Sequence, residues 1–322
     1  MTYQWGIIGT GVIANEMAAA LRESGRTIYG VTSGKIEHAQ AFAERHHVQQ
    51  VFTTYEGLLA DAKVDVVYIA TPHNLHYQMI RQALLAGKHV FCEKAITVNA
   101  HQLEECVALA KERNLVLSDG VTLFHMPLYK KLAYIVASGK LGAVKMIQVN
   151  FGSCKEYDVT NRFFSKELAG GALLDIGVYA VSFARFFMTS KPNVVLTTAN
   201  YFETGVDETS GILLKNDVGE MAVIALTMRA KQPKRGVIAC EKGFIEITNY
   251  PRAEKATITY TDTGKVETVT SGDTTKALQY EIQDMEDYLT NQSGEDNLTM
   301  IRDVMDTLTS IRSQWGLVYP FE

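Results

Sequence analysis

The chain has too few cysteines for a disulfide scaffold. Four stand among 322 residues, Cys92, Cys106, Cys154 and Cys240, far apart in the sequence. They form no CxxC pair and no cysteine–histidine spacing of a zinc site, so no metal is expected. They read as reduced thiols of a cytoplasmic protein, for the most part small buried hydrophobes. An excess of positive charge is also missing. The 31 basic and 36 acidic residues leave a net charge of −5, which argues against nucleic acid or an anionic membrane surface as a partner. No apolar run looks long enough to span a bilayer, and no basic stretch precedes the first apolar strand, so neither a membrane segment nor a secretory signal is expected. Internal repeats and low-complexity segments are lacking too. What remains is an ordinary globular composition, 47% hydrophobic and 21% charged, at a length that suggests two domains or one large one.

The most informative feature lies at the start. The apolar run Trp5-Gly-Ile-Ile8 leads directly into Gly9-Thr10-Gly11-Val12-Ile13-Ala14, and a helical pattern follows over 13–22. Strand, tight glycine turn and helix in that order form a dinucleotide-binding fingerprint. Gly9 permits the turn, Gly11 lets the backbone approach a pyrophosphate, and Ala14 is small enough for helix and strand to pack closely. The helix N-terminus then offers N–H groups to phosphate.

Strand patterns at 5–8, 27–31, 51–52, 66–69, 89–91 and 116–117 alternate with helical ones at 13–22, 36–45, 55–60, 75–86 and 100–113. This alternation predicts an α/β domain with a parallel sheet over 1–122, a Rossmann domain given its glycine turn. The texture then changes. A helix at 127–138, a strand at 144–151 and a helix at 171–187 precede seven strand-like stretches between 194 and 269. Helices at 276–291 and 298–315 close the chain. Residues 123–322 are therefore expected to form an α+β domain with a large open, mostly antiparallel sheet. A broad open sheet needs cover, which suggests a homodimer or higher homo-oligomer.

In a parallel α/β sheet, ligands sit beyond the carboxyl ends of the strands, so the residues there are the candidates. After the second strand stands Val31-Thr-Ser33-Gly-Lys35, with no acid before Glu37. An acid at this point would hold the ribose 2′-hydroxyl of NAD. Ser33 and Lys35 suit the 2′-phosphate of NADP instead, so NADP is favoured over NAD; the plain alternative for Lys35 is a solvated lysine at a helix start. After the fourth strand come Thr71-Pro72-His-Asn74-Leu-His76, read either as cofactor contacts or as a turn with Asn74 as helix cap. After the fifth come Glu93-Lys94: Lys94 is either an ordinary turn lysine or a partly buried one suited to proton exchange, and Glu93 would orient it or contact the cofactor.

In the second half, Gly170-Gly171-Ala-Leu-Leu-Asp175-Ile-Gly-Val-Tyr179 sets an ionisable pair four residues apart on one helical face among apolar positions. Such a pair needs partners, because unpaired burial is costly. The alternatives are a catalytic pair and a structural Asp–Tyr hydrogen bond. Arg162, on the loop before, would touch substrate or the cofactor phosphates, or form a surface ion pair.

Taken together, the N-terminal Gly-x-Gly-x-x-Ala, Ala70-Thr-Pro72-x-x-x-His76, Glu93-Lys94 and the run ending at Tyr179 resemble the glucose–fructose oxidoreductase / inositol dehydrogenase / MocA family. The resemblance implies a Rossmann domain joined to an open-sheet α+β domain, with the active site between them and oligomers formed through the open sheet. It implies hydride transfer between NADP or NAD and a secondary alcohol or hemiacetal carbon of a sugar, polyol or dihydrodiol. Lys94, Asp175 and Tyr179 would then be the catalytic residues. Tyr179 would be the acid/base with Lys94 lowering its pKa from about 10, or the two roles would be exchanged. Two departures stand out. Ala95 replaces the proline of the family's Glu-Lys-Pro motif, which would loosen the turn that aims Lys94. Tyr179 stands where inositol dehydrogenases carry histidine, which is similar to the branch of dimeric dihydrodiol dehydrogenase and NADP-linked xylose dehydrogenase. The family also implies two rival outcomes, a non-catalytic NADP-binding regulator and an NAD-assisted glycoside hydrolase. Substrate choice would rest on the loops at 155–164 and 228–235.

Overall fold

The computed structural model describes residues 3–322. They fall into two units. The first runs to Gly120 and takes in Leu278–Leu298; the second comprises Val121–Ala277 and Thr299–Glu322.

The first unit is built on six strands, β1 (Trp5–Ile8), β2 (Ile28–Thr32), β3 (Gln50–Val51), β4 (Val66–Ile69), β5 (His89–Cys92) and β6 (Leu117–Asp119). All pairings are parallel, in the order β3-β2-β1-β4-β5-β6. The central strands Trp-Gly-Ile-Ile and Val-Val-Tyr-Ile are buried at every position, as a sheet covered on both faces requires. Helices α1 (Val12–Glu23), α2 (Ile36–His46), α3 (Tyr55–Ala60), α4 (His73–Leu85) and α5 (Ala100–Glu112) make the crossovers. The second unit contains α6 (Pro127–Ala137), α7 (Val178–Phe187) and strands β7 (Val144–Gly152), β8 (Val194–Tyr201), β9 (Asp207–Lys215), β10 (Met221–Thr227), β11 (Gln232–Cys240), β12 (Gly243–Thr248), β13 (Lys255–Tyr260) and β14 (Val266–Thr270). Their order is β14-β13-β12-β11-β7-β10-β9-β8. β7 and β10 run parallel, and every other pair is antiparallel. Two helices end the chain, α8 (Ala277–Asn291) and α9 (Glu295–Trp315).

One face of the second sheet packs Ile147, Val149, Ile212, Leu214, Ile224 and Leu226 into the core. The other face stays open, and Val223, Leu213 and Leu196 line up there across β10, β9 and β8. Val223 and Leu196 are 43% and 60% exposed.

Four expectations need correction. The second unit is not the continuous stretch 123–322, because α8 returns to the first. Its Leu278, Ile282 and Met285 join the core of Trp5, Ile7, Tyr68 and Phe91, and Glu286 pairs with Arg26 at 2.9 Å. The helix expected over 171–187 begins with a π-helical turn, Leu173–Gly177, before α7. The helical stretch Lys166–Phe187 is in fact long and apolar enough to cross a bilayer by length and composition; its most apolar window is 83% buried inside the protein, which makes it a core helix here. Cys154 is exposed rather than a buried hydrophobe, and all four thiols are free.

Candidate functional site

In the first unit the glycine turn is locked by its neighbours. Gly9 has φ +104°, and a Cβ added there would stand 2.4 Å from the carbonyl oxygen of Ala70. Only glycine fits. At Gly11 the surroundings are open, and a Cβ added there would meet nothing within 4 Å. Gly11 caps α1 with no side-chain hydrogen bond, and the first turn contains no acid. The N-terminal N–H groups of α1 thus face an open space that favours an anion. Val12 is 80% exposed and Ile13 half-buried beside it, an apolar wall at the mouth. Thr10 Oγ1 and Ser33 Oγ lie 3.2 Å apart, tying the turn to the end of β2. Lys35 is exposed at the N-cap of α2. This set fits a dinucleotide: a cradle that side chains would fill, a helix end for the pyrophosphate, and a hydroxyl and an ammonium at the adenosine end.

Beyond β4, Thr71 and Pro72 are half-buried. The cap of α4 is Pro72, not Asn74. Asn74 lies inside the helix, and its buried Oδ1 has no hydrogen-bond partner among the described residues. A carboxamide or ribose hydroxyl carries the donor that this oxygen lacks. His76 turns away from solvent. It is fully buried, with Nε2 2.8 Å from the Thr71 carbonyl and Nδ1 2.9 Å from the Ala95 carbonyl. It holds two loops together instead of facing a ligand.

That bond also answers the missing proline. The Lys94 carbonyl lies 3.1 Å from His73 Nε2 and the Ala95 carbonyl is held by His76, so the turn is fixed without a pyrrolidine ring. The Lys94–Ala95 peptide is cis. Ala95 is buried and Lys94 half-buried. Glu93 is 8% exposed. Its Oε1 accepts the Tyr68 hydroxyl at 2.5 Å and its Oε2 the Lys94 main-chain N–H at 3.3 Å. Burial, and then Glu93, hold the Tyr68 phenol well above its usual pKa, so it donates and does not ionise. No motif in the sequence singles out Tyr68, His73 or Gly120. Gly120 makes room for Glu93, because a Cβ there would come within 3.1 Å of Oε1.

In the second unit, two glycines bring the chain close to its neighbours. A Cβ on Gly170 would stand 2.7 Å from the carbonyl oxygens of Arg162 and Phe163. Gly171 has φ +116°, and a Cβ there would stand 2.2 Å from Asp207 Oδ1. The π-helical turn that follows carries Asp175, 8% exposed. Arg162 Nη2 lies 3.8 Å from Asp175 Oδ1, so the structure brings two predicted residues together. The guanidinium also lies 4.2 Å above the Phe163 ring, and Lys155 Nζ lies 3.8 Å above the same ring. Tyr179 is half-buried on α7, its ring 6.3 Å from that of Phe151. Lys234 Nζ stands 4.7 Å over Phe151. Residues of the 155–164 loop and Lys234, which lies in β11 and not in a loop, therefore gather around the faces that carry Asp175 and Tyr179. A carboxylate, a phenol and flanking cations can grip hydroxyls and exchange a proton. Lys94 belongs to the first unit, Asp175 and Tyr179 to the second.

Comparison with known proteins finds two family matches. Residues 3–121 match the oxidoreductase family with an NAD-binding Rossmann fold. Residues 129–246 match the GFO/IDH/MocA C-terminal domain. Among curated proteins, the trans-1,2-dihydrobenzene-1,2-diol dehydrogenase of Xenopus laevis is 34% identical over 254 residues, covering 78% of this chain and 76% of that protein. The enzyme of that name from Homo sapiens is 31% identical over 253 residues, covering 77% and 75%. Among solved structures, a 3-ketoreductase from Actinomadura kijaniata in complex with NADP and TDP-benzene superposes with TM-score 0.86 at 22% identity, covering 97% of this chain and 98% of that one. An NAD-binding oxidoreductase from Klebsiella pneumoniae gives TM-score 0.87 at 20% identity, covering 98% and 97%.

Proposed function

Because the chain belongs to the Gfo/Idh/MocA family of nicotinamide-dependent oxidoreductases, we propose that it oxidises a secondary alcohol or hemiacetal carbon of a sugar, polyol or dihydrodiol, reversibly and with NADP in preference to NAD. The observation that carries this reading is the run from Gly170 to Tyr179, which sets a buried carboxylate and a half-buried phenol in one helical segment beside Arg162. The curated relatives are named for a dihydrodiol, and the Actinomadura neighbour is seen with NADP.

Gly9, Thr10, Gly11, Val12 and Ile13 hold the pyrophosphate through the α1 N-terminus. Ser33 and Lys35 receive the 2′-phosphate. Thr71, Pro72, Asn74 and Glu93 line the nicotinamide end. When bound, the nicotinamide accepts or supplies the hydride at its C4. Tyr179 passes the hydroxyl proton through its Oη, Asp175 accepts hydrogen bonds from substrate hydroxyls, and Lys94 steadies the oxygen as it gains charge. Arg162 holds Asp175 in place through their ion pair. Four free thiols agree with a cytoplasmic location. A second copy of the chain suits the open apolar row Val223–Leu213–Leu196.

The test is steady-state formation of reduced nicotinamide on aldoses, inositols, other polyols and a trans-dihydrodiol, with NADP⁺ and with NAD⁺. Turnover that favours NADP⁺ is expected on one of these classes. Tight NADP(H) binding with no turnover on any would overturn the reading in favour of a regulator.

A further inference from the structure

Asp207 lies outside every motif that marks the family, yet it is fully buried at the start of β9. Its Oδ2 accepts the main-chain N–H of Leu173 at 2.7 Å, the first residue of the π-helical turn. Its Oδ1 finds no hydrogen-bond donor among the described residues. It presses on Gly171, where φ is +116° and no side chain would fit. The preceding carbonyl, of Gly170, accepts the Tyr319 hydroxyl at 2.9 Å. The segment before Asp175 and Tyr179 is thus fixed at Gly170, Gly171 and Leu173 from elements distant in sequence.

A cap alone does not need this residue. Serine or asparagine would accept the Leu173 N–H without burying a charge. We propose that Asp207 is a positioning residue: its carboxylate, set at the positive end of the helical segment, fixes the turn that presents Asp175 and Tyr179. The proposal rests on the catalytic reading of those two residues.

Burial pushes the Asp207 carboxyl up to about 7, against the pull of the main-chain N–H groups of Leu173, of Asp207 itself and of Ala172, and of the Arg312 charge. The groups facing it are Arg312 of α9, itself paired with Glu322 at 2.6 Å, and the phenols of Tyr201 and Tyr319. A carboxyl whose folded pKa is raised from 3.8 makes the folded state bind more protons than the unfolded state, so its contribution to stability falls as pH rises to about 7. The charged form is the less stable one, and in this account it is the working one.

The test is Asp207→Asn, which keeps the size and an acceptor oxygen but never ionises. At pH 8 it is expected to melt no lower than the wild type, to bind NADPH equally well, and to turn over about 10- to 100-fold more slowly per NADPH-binding site. Wild-type kcat is expected to fall on acidification through about pH 7, and the variant is expected to lack that limb. A merely structural role predicts the reverse, a lower melting temperature with unchanged kcat. A readout that needs no substrate is the ring carbon resonance of 13C-labelled Tyr179, assigned by Tyr179→Phe. It should follow a group titrating near pH 7 in the wild type and not in Asp207→Asn. Gly171→Ala, which disturbs the same contact from the other side, should move that resonance as well. A Tyr179 resonance with the same pH response in wild type and Asp207→Asn would overturn the proposal. Failure of the underlying reading shows separately, as unchanged turnover in Tyr179→Phe.

Discussion

The glycine turn after β1 and the glycine pair before α7 use one device for different ends. In both, a glycine with positive φ is pressed against a neighbour that leaves no space for a side chain. At Gly9 the neighbour is the carbonyl of Ala70, at the end of the adjoining parallel strand. At Gly171 it is a buried carboxylate supplied by β9. The first contact is backbone on backbone and has no charge to lose. The second depends on a group whose ionisation falls in the neutral range. The turn after β1 is held by backbone alone, whereas the segment that carries Asp175 and Tyr179 is held by an ionisable anchor and, as proposed above, would follow its titration.

The comparison breaks most sharply at Tyr179. Tyr179→Phe should lower kcat by about 10²- to 10⁴-fold, with NADPH affinity unchanged in a fluorescence titration. Next comes Gly9→Ala. The strain at φ +104° costs about 1–3 kcal/mol, with the clash against Ala70 added to it. NADPH binding should be lost, or the melting temperature should fall by several degrees, at pH 6 and pH 8 alike. Tyr68→Phe removes the hydrogen bond to Glu93 and should cost about 1.5–3 kcal/mol in urea unfolding. Smallest is Lys35→Ala, which should weaken NADPH by about tenfold through loss of one charged contact and leave NADH unaffected. Equal loss for both cofactors would remove Lys35 from the 2′-phosphate.

The first unit was legible almost strand by strand. Its central strands are short apolar runs ended by Gly9, Thr71 and Glu93, and such runs announce a parallel sheet from local sequence. α8 was not, because an amphipathic helix shows that it has a buried face but not which sheet covers it. The second unit was legible in its elements and not in its contacts. Asp207 reads as part of the polar link before a strand, and only the fold sets it against Leu173. The π-helical turn at Leu173–Gly177 shifts hydrogen bonds without altering the apolar pattern, so 171–187 reads as one helix. His76 shows a third limit. Its place in a motif is visible in sequence, but the direction of its ring, toward two carbonyls, follows only from the packing of the loops after β4 and β5.

Hydride transfer itself can be followed with a substrate deuterated at the carbinol carbon, by mass spectrometry of the reduced cofactor after turnover. The account predicts that the deuterium appears on the nicotinamide ring, making NADPH one mass unit heavier, and that Tyr179→Phe slows its appearance without diverting it. Conversion of substrate with no label in the cofactor, or label lost to solvent, would contradict it.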